Sequence, residues 1–466
     1  MLQIDKTSKI PYYVQIYEYV RREIEAQRLH AGDKLMSVRD LAQSVNVSKM
    51  TVEKACFQLA SEGYIVRRNK ARYEVASLGD CPSASEPGLP AHYQDIPPRP
   101  RFTYDFGSGD MDMEHFPMDN WRKCMNRVLS DPERLLACMD EQGVAELRRA
   151  LSQYVYQSRG VHAVPEAIVI GSGTPVLLRI LISLLGEDFQ AVGVENPGFR
   201  LGRELFRHSG YAIYPVPMQQ GQLELTRLYE SGVRLMYVSP SHQFPTGTVM
   251  SAGMRNRLLQ WAYDQQGMII EDDYDSELRY YGRPVPALQG LDRSGRVIYM
   301  GSLSKVLPPF VRLSYMVLPP DLLERYDRQR DLFRQGTSVP EQCVLAEYIN
   351  SGEMTRQVRR LRKEYQDKGA YLMKLLQSTF GRTVDVNRVI SGVYCRISLH
   401  SPYTAEELMR RAERAGCRIL SMDSFYETAD RGKYKEFLLS FSKIPSCQLA
   451  QAVQTLHRAW TGKEGI

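Results

Sequence analysis

The sequence predicts an α/β protein: a body on a mostly parallel sheet, a smaller C-terminal α/β subdomain, and a helical N-terminal head closed by a hairpin. Three observations predict it. Six short apolar runs, at 167–170, 191–194, 235–238, 268–270, 297–300 and 315–318, alternate with helical patterns, as strands buried on both faces by helices do. Residues 1–77 instead repeat apolar residues at helical spacing and end in two short β-like runs. Between them, from Cys81 to Arg101, proline recurs without any period, ending in Pro97-Pro98-Arg99-Pro100, the composition of a semi-extended tether. The division expected is a head at 1–77, a linker at 78–102 and a body at 103–466.

Composition sets the outer bounds. The chain has 466 residues, 43% hydrophobic and 24% charged, which suits about two to four soluble domains. No apolar run approaches the roughly 18 residues of a membrane span, so no membrane association is expected. The start, Met1-Leu2-Gln3-Ile4-Asp5, lacks the charged and apolar regions of a signal peptide. The eight cysteines form no Cys-x-x-Cys pair, which reads as free thiols in a reducing cytoplasm, with no metal site. Residues 1–77 hold 13 basic and 9 acidic residues, a net +4 of the chain's +6. The head is therefore the part suited to an anionic partner.

Within the head, Tyr13, Ile16, Tyr17, Val20 and Ile24 form one helical face. Ser37 and Asp40 have the spacing of a capping box opening a second short helix. A tight turn at Val45-Asn46-Val47 follows, Ser48 caps a third helix, and Gly63 is placed to end it. Two short strands then flank a tip carrying Arg67, Arg68, Lys70 and Arg72. Two short helices joined by a tight turn, the second opening Ser48-Lys49-Met50-Thr51, suit the major groove of DNA. Lys49 can take phosphate or guanine, Thr51 phosphate or a thymine methyl, and Arg39 is within reach of the backbone. The basic tip reads as a wing along the phosphates. An ordinary small helical domain with solvated charges is the competing reading.

In the body, four features converge. Gly171-Ser172-Gly173-Thr174-Pro175 follows a strand and opens a helix ended by Gly186, a turn whose amides can meet an anion. Glu271-Asp272-Asp273-Tyr274-Asp275 follows the run 268–270 and can face a metal, a cation or a protonated ring nitrogen. Ser302-Leu303-Ser304-Lys305 follows the run 297–300, with Arg312 seven residues on. The like charge of Arg312 disfavours the ammonium form of Lys305, which suits amine chemistry, while the serines and Arg312 can clamp phosphate. Ser239-Pro240-Ser241-His242-Gln243-Phe244-Pro245-Thr246-Gly247 follows the run 235–238 and is otherwise a proline-rich turn. A phosphate cradle, an acid, an aromatic ring and an amine together fit pyridoxal 5′-phosphate (PLP).

Two resemblances rest on these residues. Pro11-Tyr12-Tyr13-Val14-Gln15-Ile16-Tyr17, Gly32-Asp33-Lys34-Leu35, Ser37-Val38-Arg39-Asp40-Leu41-Ala42, Val47-Ser48-Lys49-Met50-Thr51-Val52 and Leu59-Ala60-Ser61-Glu62-Gly63-Tyr64 resemble the winged helix-turn-helix of GntR-type bacterial regulators. From about Tyr104 onward, Glu195-Asn196-Pro197-Gly198-Phe199, Pro240 to Gly247, Glu271 to Glu277, and Ser304-Lys305 with Arg312 resemble fold-type I aminotransferases in the version fused to such a head, the MocR group of transcriptional regulators. Carried over, Lys305 is the Schiff-base lysine, Asp272 pairs with the ring nitrogen, Tyr274 bonds the phenolic oxygen and Phe199 stacks on the ring. Ser172, Gly173, Thr174, Ser302, Ser304 and Arg312 hold the phosphate. The resemblance also implies a homodimer, with heads swapped between subunits.

The sequence departs from these patterns at several places. The wing has Asn69-Lys70-Ala71-Arg72 where glycine is frequent, and Lys49 stands where arginine is common; lysine lacks the bidentate fork. Phe244 stands where aminotransferases commonly carry asparagine, Cys138 where a tyrosine often reaches the neighbouring subunit, and Leu438 where many relatives place a substrate-binding arginine. Arg200 or Arg203 is a candidate replacement for effector recognition, against an alternative as solvated helix charge. The expectation is a cytoplasmic regulator that binds operator DNA and senses PLP or an amino compound. The alternative is an active aminotransferase with an appended head, against which Phe244 and Leu438 weigh.

Overall fold

The computed structural model describes residues 2, 4–67, 72–77, 101–137, 140–282, 285–334, 336–427 and 435–462. The chain divides into two compact units, Met1–Arg99 and Pro100–Ile466. Residues 78–100 of the expected linker lie outside the described residues.

In the first unit, α1 (Tyr12–Glu25) buries Ile16, Tyr17, Val20 and Ile24, the face its periodicity predicts. Helices α2 (Val38–Ser44) and α3 (Lys49–Ser61) are each opened by a serine: Ser37 Oγ accepts from the Asp40 amide at 3.1 Å and Ser48 Oγ from the Thr51 amide at 3.2 Å. Such caps contribute about 1 kcal/mol each. Asn46 adopts φ +50° in the turn between them. Val52, Ala55, Cys56 and Leu59 of α3 pack on α1. Strands β1 (Ile65–Arg67) and β2 (Tyr73–Val75) pair antiparallel, Ile65 opposite Val75.

The second unit is built on an eight-stranded sheet. In chain order its strands are β3 (Ile168–Gly171), β4 (Ala191–Asn196), β5 (Ala212–Gln219), β6 (Gln222–Leu223), β7 (Leu235–Val238), β8 (Met268–Asp273), β9 (Val297–Ser302) and β10 (Ser314–Val317). Across the sheet they run β3-β10-β9-β8-β7-β4-β5-β6. The middle five, β9 to β5, are parallel; β10 is antiparallel to both neighbours, and β6 to β5. Every residue of β3, β7, β8, β9 and β10 is buried, as strands covered on both faces must be. Helix α4 (Thr174–Leu185) follows β3 and α5 (Arg200–His208) follows β4.

A second, antiparallel sheet contains β11 (Val384–Val386), β12 (Tyr394–Leu399), β13 (Leu420–Ser421) and β14 (Glu436–Ser440), in the order β11-β12-β14-β13. It packs with α6 (Glu353–Phe380) and the last helix into the smaller α/β part expected.

Two details differ from the sequence reading. Strand β5 is missed by its apolar pattern because Pro215 and Pro217 interrupt it. The acids Glu271, Asp272 and Asp273 do not follow a strand but are its last three residues, because pairing with β9 continues to Gly301 opposite Asp273. Among the described residues, no helix is long and apolar enough to cross a membrane.

Candidate functional site

The carboxyl ends of β8 and β9 and the first turn of α4 converge on a cavity of about 360 Å³, the usual ligand position in an open parallel sheet. Lys305, Asp272, Tyr274, Phe199, Gly173, Thr174, Ser302, Ser304 and Arg312 all line it. Ser172 lies one residue before the lining stretch, at the end of the turn.

The pleat of β8 separates its three acids. Glu271 turns away and accepts the amides of Leu288 and Gln289 at 2.8 and 2.9 Å. Asp273, on the same side, accepts from Arg159 Nε at 2.8 Å and Tyr299 Oη at 2.7 Å. Asp272 alone faces the cavity. Its Oδ2 accepts a short hydrogen bond from Tyr237 of the next strand, and its Oδ1 is buried with no partner among the described residues. Burial pushes its pKa up to about 7, against the Tyr237 hydrogen bond, which lowers it.

Lys305 Nζ donates to the Gly109 carbonyl at 2.9 Å and lies 5.8 Å from the centre of the Tyr394 ring. Its pKa is lowered chiefly by burial, with Asp275 and Asp110 opposing and Lys443 adding to the effect. The sequence reading credited Arg312; the structure replaces that cause with desolvation and a different cation. Gly109 permits this approach: a Cβ there would sit 2.2 Å from Tyr394 Oη and 2.8 Å from Lys305 Nζ.

Gly173 has φ +116°, and a Cβ on it would come 3.3 Å from Arg312 Nη2. A bare backbone turn, the N-terminus of α4, two serines and an exposed arginine thus surround one end of the cavity, a set suited to phosphate.

Tyr274 Oη lies 3.0 Å from His242 Nδ1, which is also 2.7 Å from Asp275 Oδ2. The Phe199 ring lines the cavity, stacked on Tyr237 at 6.3 Å between centres. Phe244 meets Phe199, Tyr274, Tyr394 and Phe425 edge-on, at 5.0 to 6.4 Å. The motifs around it also hold the frame together. Glu195 Oε2 accepts from the Ser239 amide and Gln243 Nε2, both at 3.2 Å. A Cβ on Gly198 would fall 2.1 Å from the Glu195 carbonyl oxygen, so only glycine fits there.

The effector candidates need correction. Arg203 is buried and committed: its Nε lies 2.9 Å from Glu427 and its Nη1 donates to the Phe425 carbonyl at 3.0 Å. Arg200 is exposed and does not line the cavity; Leu201 does. In a helix these neighbours point about 100° apart, which the sequence position alone does not orient. Leu438 is buried in an apolar cluster with Met422 and Phe425. Cys138 lies outside the described residues. The lining residues Asp110 and Tyr394 escaped sequence reasoning because neither sits in a recognisable motif.

On the head, Arg39, Ser48 and Lys49 are exposed on α2 and at the start of α3, and Thr51 is partly exposed. Lys49 Nζ pairs at 3.3 Å with Glu53, an exposed pair that a phosphate can displace at little cost. Thr51 Oγ1 is 2.7 Å from Ser48 Oγ. Arg67 and Arg72 are exposed beside the hairpin, Arg67 over the Tyr73 ring at 5.4 Å. Arg68 and Lys70 lie outside the described residues. Met50, between Lys49 and Thr51, is 77% exposed, an apolar side chain at the face suited to DNA that charge-based reasoning passed over.

Residues 12–75 match the family of bacterial regulatory proteins of the gntR type, and residues 103–433 match aminotransferase class I and II. The chain is 36% identical over 460 residues to the uncharacterized HTH-type transcriptional regulator YdeL of Bacillus subtilis, covering 98% of each chain. It is 30% identical to the probable rhizopine catabolism regulatory protein MocR of Rhizobium meliloti, covering 100% of this chain and 97% of the relative. Among solved structures, it is similar to LysN, the α-aminoadipate aminotransferase of Thermus thermophilus complexed with N-(5′-phosphopyridoxyl)-L-leucine. The TM-score is 0.69 at 26% identity, covering 77% of this chain and 92% of that one.

Proposed function

The chain belongs to the MocR-type transcriptional regulators, a gntR-type head joined to an aminotransferase class I and II body, and from that premise we propose that it regulates transcription in response to PLP or an amino compound bound in the body. The observation that carries the proposal is the buried, unpartnered Oδ1 of Asp272 in the same cavity as Lys305 Nζ. A buried carboxylate oxygen without a donor is costly, and a protonated ring nitrogen satisfies it.

The residues fit PLP throughout. The cofactor, when bound, supplies an aldehyde that condenses reversibly with amines. Lys305, its ammonium disfavoured by burial, presents an amine at the cavity floor. Asp272 would accept from the ring N–H. Tyr274, beside His242, would bond the phenolic oxygen, and Phe199 would lie against the ring. Gly173 and Thr174, aided by Ser172, Ser302, Ser304 and Arg312, hold the phosphate.

The head binds operator DNA through Lys49, Thr51 and Arg39, with Arg67 and Arg72 on the backbone. The protein acts in the cytoplasm as a homodimer on two half-sites, with exchanged heads. Effector binding shifts the population of DNA-competent states. The apolar setting of Leu438 and the ring of Phe244 favour sensing over turnover of amino acids.

The test is direct. Purified protein given PLP develops visible absorption that Lys305→Ala abolishes; a wild type that stays colourless at saturating PLP overturns the reading. Steady transamination with common amino donors would favour the enzyme instead.

A further inference from the structure

Beyond the cofactor cavity, and sharing with it the wall of Phe244, Tyr274 and Tyr394, lies a second cavity of about 390 Å³. Among the described residues its lining includes Arg388 and Arg396 and no carboxylate. Arg396 stands on β12 directly opposite Leu438 of β14. Residues so opposed present their side chains on one face of a sheet, and both line the cavity. The Asn387 amide, oriented to satisfy both groups, accepts from Arg396 Nε at 3.1 Å and Nη2 at 2.5 Å. That fixes one edge of the guanidinium and leaves the rest for a ligand. Among the described residues Arg396 has no carboxylate partner. Arg388 is exposed at the rim of the cavity, with its guanidinium over the Tyr281 ring at 4.8 Å.

Ser391 supplies a second, independent observation. It is 6% exposed, lines this cavity, and its hydroxyl has no hydrogen-bond partner among the described residues. Buried hydroxyls are almost always paired. The Arg396 guanidinium and an unpaired buried hydroxyl, with no acid among the described lining residues, call for an anion. The apolar side chains of Val389, Leu438 and Phe244 suit a short carbon chain attached to it, and the volume is that of a small-molecule site.

We propose that this cavity is a binding site for a small organic carboxylate, held by the free edge of Arg396 with Arg388 and the Ser391 hydroxyl. As the site of the regulator's effector, it rests on the function proposed above. Its occupancy bears on the cofactor cavity through Phe244 and Tyr394, whose rings meet at 5.8 Å in the shared wall.

The test titrates the full-length protein calorimetrically with succinate and, separately, with inorganic phosphate, while PLP uptake is read by visible absorption. Saturable succinate binding is expected, weakened at least about tenfold in Arg396→Gln and about threefold in Ser391→Ala. Arg396→Lys, which keeps the charge but not the fork, falls between wild type and Arg396→Gln. Absence of saturable succinate binding in the wild type overturns the proposal, as does binding that Arg396→Gln leaves unchanged. Phosphate binding tighter than succinate, and equally sensitive to Arg396, overturns the carboxylate assignment. If Arg396→Gln does not fold, Arg396→Lys and Ser391→Ala decide by the same criteria. A wild type that binds succinate but no PLP sinks the cofactor reading and keeps this site; one that binds PLP but no succinate does the reverse.

Discussion

Tyr237 donates its hydroxyl hydrogen to Oδ2 of Asp272 and leaves Oδ1 of the same carboxylate unpaired in the cavity. One oxygen orients the group and the other is available. Asp272→Asn is therefore expected to weaken PLP binding at least tenfold, the loss of a charged hydrogen bond of about 1.5–3 kcal/mol. Tyr237→Phe removes only the orienting bond and costs about fivefold, roughly 1 kcal/mol. Absorbance titration with PLP measures both.

The raised pKa of Asp272, from 3.8 to about 7, gives a pH signature in the cofactor-free protein. Between these values the unfolded chain has released the proton and the folded one has not. Stability from this group is thus full below pH 3.8 and is lost as the pH rises through about 7. Relative to Asp272→Asn, the wild type should lose on the order of a few kcal/mol over that span. Denaturant unfolding of both proteins from pH 5 to 8 checks the sign.

Lys305→Ala is expected to abolish the visible absorption of the PLP-treated protein while far-ultraviolet circular dichroism is unchanged. Among the described residues the side chain makes one hydrogen bond, to the Gly109 carbonyl, so its removal leaves the sheet intact.

Gly173→Ala tests the phosphate end. The residue must keep φ +116°, which costs a side chain on the order of 1 kcal/mol or more, and its methyl would crowd Arg312. Weaker PLP binding and a lower melting temperature are both expected; loss of stability with unchanged PLP affinity would separate the turn from phosphate binding.

On the head, Lys49→Ala should weaken operator binding and reduce the salt slope by about 1, as for one lost phosphate contact, without changing PLP absorption. Ser48→Ala removes the cap of α3 and should cost about 1 kcal/mol of head stability. Binding isotherms at several salt concentrations distinguish the two.

Most of the head was legible in the sequence. The face of Ile16, Tyr17, Val20 and Ile24, the caps at Ser37 and Ser48, and the turn at Asn46 are each signalled by residues within a turn or two of one another. In the body the strand cores, the glycine turn before α4 and the loop bearing Lys305 were legible for the same reason. Strand β5 was not, because its prolines erase the β signal while its ladder to β4 is formed by distant residues.

The sequence by itself determined which chemistry is available: an amine at Lys305, acids at 271–273, a bare turn at Gly173 and a basic head. The tertiary structure decided which of these meet. Pairing of β8 with β7 and β9 turned Asp272, and neither Glu271 nor Asp273, toward the cavity and set Tyr237 against it. Packing brought Gly109 and Tyr394, far away in sequence, around Lys305, and committed Arg203 to Glu427. It also placed Arg396 opposite Leu438. Caps and turns are set by contacts a few residues long and can be read along the chain. Facing, burial and charge pairing depend on strand register and on segments hundreds of residues apart, so only the folded sheet specifies them.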